Sequence, residues 1–139
     1  MVMGETYVLD EQVGFPLRRV TQWHLAIFSD QIPHVTTTQF AVLARLAERW
    51  LQSQNQLGRA TAMDAATIKG VVDRLGREGL VATTEDLEDR RRLTVSLTEA
   101  GLAMFETHFT KTLIISRKTL QPLTKVEQAQ LMALLSRLT

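Results

Sequence analysis

Apolar residues in this chain recur at helical spacing as far as about residue 78, alternate between residues 80 and 97, and return to helical spacing after residue 98. That double change of period dictates a helical fold interrupted by one short β element. Leu93, Val95 and Leu97 fall on one face of an extended segment, Arg92–Leu97, and Leu80–Thr84 reads as its partner strand across the charged loop Glu85–Arg91. Gly79, just ahead of the first strand, is placed to take the left-handed conformation that ends a helix.

The helices are delimited by their start signals. A first helix is expected over Asp10–Gln31, with Val13, Leu17, Val20, Trp23 and Ile27 on one stripe. Pro16 conflicts with an early start, so regular helix is expected from near Gly14, or a kink there. Thr36 and Gln39 have capping-box spacing, and the run Phe40–Trp50 is apolar almost all round, as for a helix central to the core. Ser53 and Gln56 repeat the spacing and open a short helix to about Ala60. Thr61, Ala62 and Met63 form a tight connection to Asp64, the N-cap of a helix over Ala65–Glu78 that buries Ile68, Val71, Val72 and Leu75. Beyond the hairpin, Thr98 caps a long helix to about Thr119, with Leu102, Phe105, Phe109 and Leu113 along a stripe. Pro122 interrupts it, Thr124 and Glu127 form another capping box, and a last helix is expected to bury Leu131, Leu134, Leu135 and Leu138.

A short and a longer helix joined by a tight turn make a helix-turn-helix, and a charged hairpin directly after it makes a wing. The expected fold is therefore mainly α with a small β-hairpin wing: a winged helix-turn-helix with N- and C-terminal dimerisation helices. Residues 1–139 are expected to form a single domain. The winged lobe occupies 35–98, and the helical dimerisation region 10–34 and 98–139. The apolar stripes outside the lobe need a partner, for which a second copy of the chain is the simplest.

Composition narrows the function classes. The chain has 139 residues and no cysteine, which excludes a disulfide framework or thiol switch and fits a reducing cytoplasm. The first ten residues show neither a basic nor an apolar leader region, so no secretory signal is expected. His24, His34 and His108 match no metal-ligand spacing, and no G-x-S-x-G, phosphate-binding glycine loop or paired-carboxylate motif is present. No metal, no catalytic residue and no cofactor is expected, and the chain does not read as an enzyme. Net charge is only +1, and residues 59–92 hold seven basic and seven acidic side chains. If this segment binds DNA, its carboxylates must orient arginines or face away from the phosphates.

The wing carries the most specific motif: Asp89-Arg90-Arg91, five residues Arg92–Ser96, then Leu97-Thr98. This resembles the D-x-R-x5-L-T pattern of the MarR family of bacterial regulators. Asp86-Leu87-Glu88 resembles the family's D-P-x, with Leu87 where proline is common. Thr67-Ile68-Lys69-Gly70-Val71-Val72-Asp73-Arg74-Leu75 followed by Gly79-Leu80-Val81 is similar to its recognition helix and exit, and Thr36–Leu46 to its second helix. The similarity spans about residues 10–138, with Gly70 standing where many members carry arginine.

The residue chemistry supports the roles so implied. Ala65, Ala66, Thr67, Lys69 and Gly70 occupy the first turns of a helix that fits the major groove, where side chains reach base edges. Arg74 and Arg77, a turn or two later, suit phosphate contacts. Alone, these residues equally describe the solvated face of an amphipathic helix; the flanking short helix and wing favour DNA. Arg90 and Arg91 sit at a hairpin tip, where an extended side chain can enter a narrow minor groove. The resemblance makes Arg91 the inserting residue, with Asp89 holding a neighbouring arginine.

The resemblance also implies a small aromatic or phenolic acid as effector, bound between the dimerisation helices and the DNA-binding lobe. Arg18, Arg19, Trp23 and His24 offer a cation, a ring and a titratable donor within two helical turns, and Phe40 and His108 can complete such a site. Each has a structural alternative: dimer core for Trp23, a satisfied polar residue for His24, surface charge for Arg18 and Arg19. Thr61-Ala62-Met63-Asp64 with the helix that follows is most similar to the branch controlling aromatic-acid breakdown. The expected function is a homodimeric repressor on a pseudo-palindromic DNA operator, released by an aromatic carboxylate. A ligand-independent winged-helix DNA-binding or protein-interaction module is the alternative.

Overall fold

The computed structural model describes residues 5–139; residues 1–4, where the reading of the leader region begins, lie outside the described residues. After a 3-10 turn at Leu9–Glu11, the elements run α1 (Gly14–Gln31), α2 (Thr37–Arg49), β1 (Leu51–Ser53), α3 (Gln54–Ala60), α4 (Ala65–Arg77), β2 (Val81–Glu85), β3 (Leu93–Leu97), α5 (Glu99–Leu120) and α6 (Lys125–Leu138). The chain forms two compact units, one comprising the chain up to Gln31 with Thr112–Thr139, the other Ile32–Lys111.

Helix starts follow the capping chemistry. At Thr36, Ser53 and Thr124 the side chain accepts from the backbone N–H three residues on, while Gln39, Gln56 and Glu127 reach back to the cap. Each box satisfies two amides that the first helical turn leaves without partners. Pro16 falls in the first turn of α1, where no intrahelical bond needs its missing N–H, so α1 begins at Gly14 without a break.

In the second unit, α2, α3 and α4 pack on the sheet around one core of Val42, Leu43, Leu46, Leu57, Ile68, Val72, Leu75, Leu80, Val81, Val95 and Leu97. Burying each Leu or Val in such a core contributes about 1.5–3 kcal/mol. Helix α2 is central, but it is not apolar all round: Phe40, Val42, Leu43 and Leu46 are buried while Glu48 and Arg49 lie exposed. In α4 the buried face is Ile68, Val72 and Leu75, with Val71 half-buried at its margin.

The sheet has one strand more than the expected hairpin, in the order β1-β3-β2. Strand β1 pairs antiparallel with β3 through Leu51↔Ser96, Gln52↔Val95 and Ser53↔Thr94. Strand β2 pairs on the other side, from Val81↔Leu97 to Glu85↔Leu93. Thr98 ties three elements together. Its hydroxyl donates to the Gly79 carbonyl at 2.6 Å and accepts from the Gly101 N–H at 3.1 Å, so the exit of α4 meets the start of α5. Gly79 has φ +74°, the left-handed conformation its place after α4 demands.

The first unit differs in having little interior of its own. Val13, just ahead of α1, and Leu17, Val20 and Trp23 of α1 are exposed, as are Leu113 and Ile114 of α5. Of the α6 residues expected to be buried, Leu134, Leu135 and Leu138 are exposed and Leu131 is half-buried. On α5, Phe109 and Leu113 are exposed and Leu102 and Phe105 half-buried. Among the described residues, these stripes are left largely uncovered.

A side chain at Gly101 would run into the Leu80 carbonyl oxygen, whereas one at Gly76, mid-α4, meets open space. Gly101→Ala is therefore expected to destabilise the fold by about 1–3 kcal/mol. Gly76→Ala should stabilise it by about 0.5–1 kcal/mol through higher helix propensity. Urea unfolding midpoints of the two variants, moving in opposite directions, check this.

Candidate nucleic-acid interface

Helix α4 buries one stripe and thereby presents the other. Ala65, Ala66, Thr67, Lys69, Gly70, Arg74 and Arg77 are all exposed. Asp64 caps the helix, accepting the Thr67 N–H at 2.7 Å. The Thr67 hydrogen bonds hold the Asp64 carboxyl below its ordinary value, so it is a charged cap at neutral pH.

The even charge balance of residues 59–92 resolves into local pairs. Lys69 reaches Asp73 at 2.8 Å and Arg74 reaches Glu78 at 3.4 Å, each across one turn of α4. Exposed pairs of this kind contribute only about 0.3–0.5 kcal/mol, so a phosphate or base edge can displace the carboxylate at little cost. Arg77 and Arg90 have no ion pair among the described residues.

Between β2 and β3 the wing tip is held by its own aspartates. Asp86 Oδ1 accepts the Glu88 N–H at 2.9 Å, and Asp89 Oδ1 accepts the Arg91 N–H at 3.0 Å, two side-chain turns that fix the loop. Asp89 Oδ1 also lies 3.6 Å from Arg91 Nε, and Asp86 lies 3.8 Å from Arg92 Nε. Arg91 keeps 96% of its side-chain surface exposed, so Asp89 orients the root of the side chain and leaves the guanidinium in solvent. At the base of the wing, Thr94 donates to the Thr84 carbonyl at 3.2 Å across the strand pair.

In the first unit, Arg19 and Trp23 line one cavity of about 420 Å³ with Pro16, Val20 and Pro122. Arg18 is exposed and is not among its lining residues. The Arg19 guanidinium lies 6.0 Å from the Phe15 ring centre. Trp23 Nε1 donates to the Thr119 carbonyl at 3.1 Å, and His24 Nδ1 is 2.9 Å from the Thr119 hydroxyl. In the second unit, Phe40 packs on Phe105 at 5.7 Å, and Phe105 on Phe109 at 5.8 Å. His108 is half-buried and its Nδ1 lacks a hydrogen-bond partner. Burial, with help from Lys111 and His34, pushes its pKa below the ordinary histidine value. Among the described residues, no group of three His, Cys, Asp or Glu is placed to hold a metal ion.

Comparison with known proteins agrees with this geometry. The MarR family model matches residues 35–93, the helix-turn-helix and wing. A probable transcriptional regulator from Pseudomonas aeruginosa superposes with a TM-score of 0.90 at 49% identity, covering 95% of this chain and 100% of its own. Bordetella bronchiseptica BpsR, whose DNA binding is regulated by 6-hydroxynicotinic acid, superposes with a TM-score of 0.91 at 37% identity, covering 96% of this chain and 97% of BpsR. The chain belongs to the MarR family. The transcriptional repressor NicR of Pseudomonas putida is 44% identical over 72% of this chain, a stretch that spans 65% of NicR.

For this MarR-family chain, the α4 and wing residues are named from sequence, whereas Thr119, Pro122, Phe105 and Phe109 enter there only as helix-stripe or helix-end residues and not as neighbours of the aromatic and histidine side chains. Thr119 lies 95 residues from His24, and no local spacing links them. Among the described residues, no helix is long and apolar enough to cross a membrane.

The depressed His108 pKa has a definite sign. Above the ordinary histidine value of 6.5, both folded and unfolded chains carry the ring neutral. As pH falls below that value the unfolded chain takes up the proton first, so stability declines until the folded ring also protonates. His108→Gln is expected to flatten the loss of stability between pH 7.5 and 5.5, read from urea midpoints. An NMR titration placing the His108 ring at or above the ordinary value would contradict the assignment.

Proposed function

We propose that this chain is a cytoplasmic, sequence-specific DNA-binding transcriptional regulator rather than an enzyme: a homodimeric repressor released from its operator by a small aromatic acid. The observation that carries this reading is the pairing of an outward-facing α4 with the Asp89-anchored Arg91 of the wing. Lys69 and Thr67 stand in the first turns of α4, where a helix in the major groove meets base edges, while Arg74 and Arg77 suit phosphates. Arg91 extends freely from a braced hairpin, as a minor-groove contact requires.

The homodimer is supported by the uncovered apolar stripes of α1, α5 and α6, which a second copy can bury. Two α4 helices about 34 Å apart would then enter successive major grooves of a pseudo-palindrome. The effector class is supported by the cavity that joins the Arg19 cation to the Trp23 ring, a combination that receives a carboxylate on an aromatic nucleus. It is also supported by the relation to BpsR, which responds to 6-hydroxynicotinic acid. Release follows if the acid binds the free dimer more tightly than the DNA-bound one.

Fluorescence anisotropy on the DNA upstream of the chain's own gene, at two salt concentrations and with a panel of aromatic acids, tests the reading. Tight, salt-sensitive binding abolished by one acid is expected. Arg91→Ala should weaken binding strongly, and Arg74→Ala should weaken all sequences alike and reduce the salt slope by about one. Lys69→Ala should relax base preference, at about 1–3 kcal/mol for a lost base contact. Binding indifferent to every acid would favour a ligand-independent regulator, and no specific binding even at low salt a protein-interaction module.

A further inference from the structure

One cationic cluster belongs to neither α4 nor the wing. Arg45 and Arg49 of α2, Gln52 of β1, and Gln56, Arg59 and Ala60 of α3 line a cleft of about 310 Å³ in the second unit. No carboxylate is among these lining residues. Glu48, the nearest acid in sequence, is engaged by Arg45 at 3.0 Å. Arg45 itself is held in place, its Nε donating to the Ala60 carbonyl at 2.7 Å, the C-terminal end of α3. The Arg49 and Arg59 side chains form no ion pair or hydrogen bond among the described residues. With Arg45 answered by Glu48, the Arg49 and Arg59 guanidiniums remain as like charges at the cleft without an ion pair, and a bound anion relieves their repulsion.

The second observation comes from Gln52. It is 93% buried (7% exposed), lines the cleft, and its Oε1 has no hydrogen-bond partner. A buried acceptor left unmet is unfavourable, and a donor brought by a ligand relieves it. Gln56, by contrast, spends its Oε1 on the Ser53 N–H at 3.1 Å and keeps only its amide donors for the cleft. The cleft thus offers guanidinium and amide donors together with one acceptor that wants a proton. It presents no aromatic ring and no large aliphatic side chain, which sets it apart from the Arg19–Trp23 cavity and disfavours an aromatic acid.

We propose that this cleft binds a phosphoryl group that carries its own O–H, as in hydrogen phosphate or a singly protonated phosphate monoester. Guanidinium forks match phosphoryl oxygens in pairs. The O–H donates to Gln52 Oε1, a bond that neither sulfate dianion nor a DNA phosphodiester can make, because both are acceptors only. Occupation would brace α2 against α3, the helix that precedes the turn into α4.

Isothermal titration calorimetry of the full chain at constant ionic strength tests this, with inorganic phosphate, glycerol 3-phosphate, sulfate and a short random-sequence duplex as titrants at pH 6. Saturable binding of phosphate in preference to sulfate is expected. The double variant Arg49→Gln/Arg59→Gln should weaken phosphate binding by about tenfold or more, the loss of one or two charge-assisted hydrogen bonds. Gln52→Met should erase the preference over sulfate while circular dichroism shows the fold retained. Tighter binding of glycerol 3-phosphate would identify an esterified metabolite as the source, and tighter binding of inorganic phosphate the free ion. Equal affinity for sulfate, no saturable heat, or an affinity unchanged in the arginine double variant would overturn the proposal. So would arginine-dependent binding of the duplex alone, which would assign Arg49 and Arg59 to the DNA backbone.

Discussion

Helix α4 must bury Ile68, Val72 and Leu75, and nearly everything else about the second unit depends on how that burial is met. The stripe needs a floor, which α2, α3 and the sheet provide through Leu43, Leu46, Leu57, Val95 and Leu97. Once one face is committed to the core, helical geometry turns Thr67, Lys69, Arg74 and Arg77 outward without further instruction. The same packing sets where α4 ends. Gly79 takes a left-handed turn, Thr98 binds the Gly79 carbonyl, and the wing and α5 start from positions tied to the end of that helix.

Electrostatics works on a finer scale than net charge. A segment with equal numbers of acids and bases looks a poor partner for a polyanion, yet five of its seven acids are occupied. Asp64 caps α4, Asp73 and Glu78 sit beside Lys69 and Arg74, and Asp86 and Asp89 shape the wing. These pairs are exposed and weak, so they preorganise basic side chains without withdrawing them. The Arg45–Arg49–Arg59 cleft differs: Glu48 answers Arg45, but no acid pairs with Arg49 or Arg59 among the described residues.

Much of this was legible in the residues because the signals are local. Three capping boxes, the Asp64 cap and Gly79 each act within four residues, and the helices start where those side chains dictate. Strand β1 was not legible. It is three residues long, follows Trp50 at φ 61°, and is defined by pairing with β3, more than forty positions away. The expected burial of Leu134, Leu135 and Leu138 failed for a related reason: an apolar stripe announces that a helix wants a partner, not whether its own chain provides one. Likewise the run from Phe40 to Trp50 looked apolar all round because its alanines are neutral markers, and packing put only one side of α2 inside.

By itself the sequence determined the helix starts, the switch to alternating strands and back, the outward face of α4 and the identity of the wing arginines. Each follows from hydrogen bonds or periodicities confined to a few neighbouring residues. Only the tertiary structure decided the third strand, the joining of α4 to α5 through Thr98 and the meeting of His24 with Thr119. It also decided the convergence of Arg45, Arg49 and Arg59 around Gln52. Those depend on chain segments brought together by burial of a shared core, and no spacing along the chain encodes the distance between them.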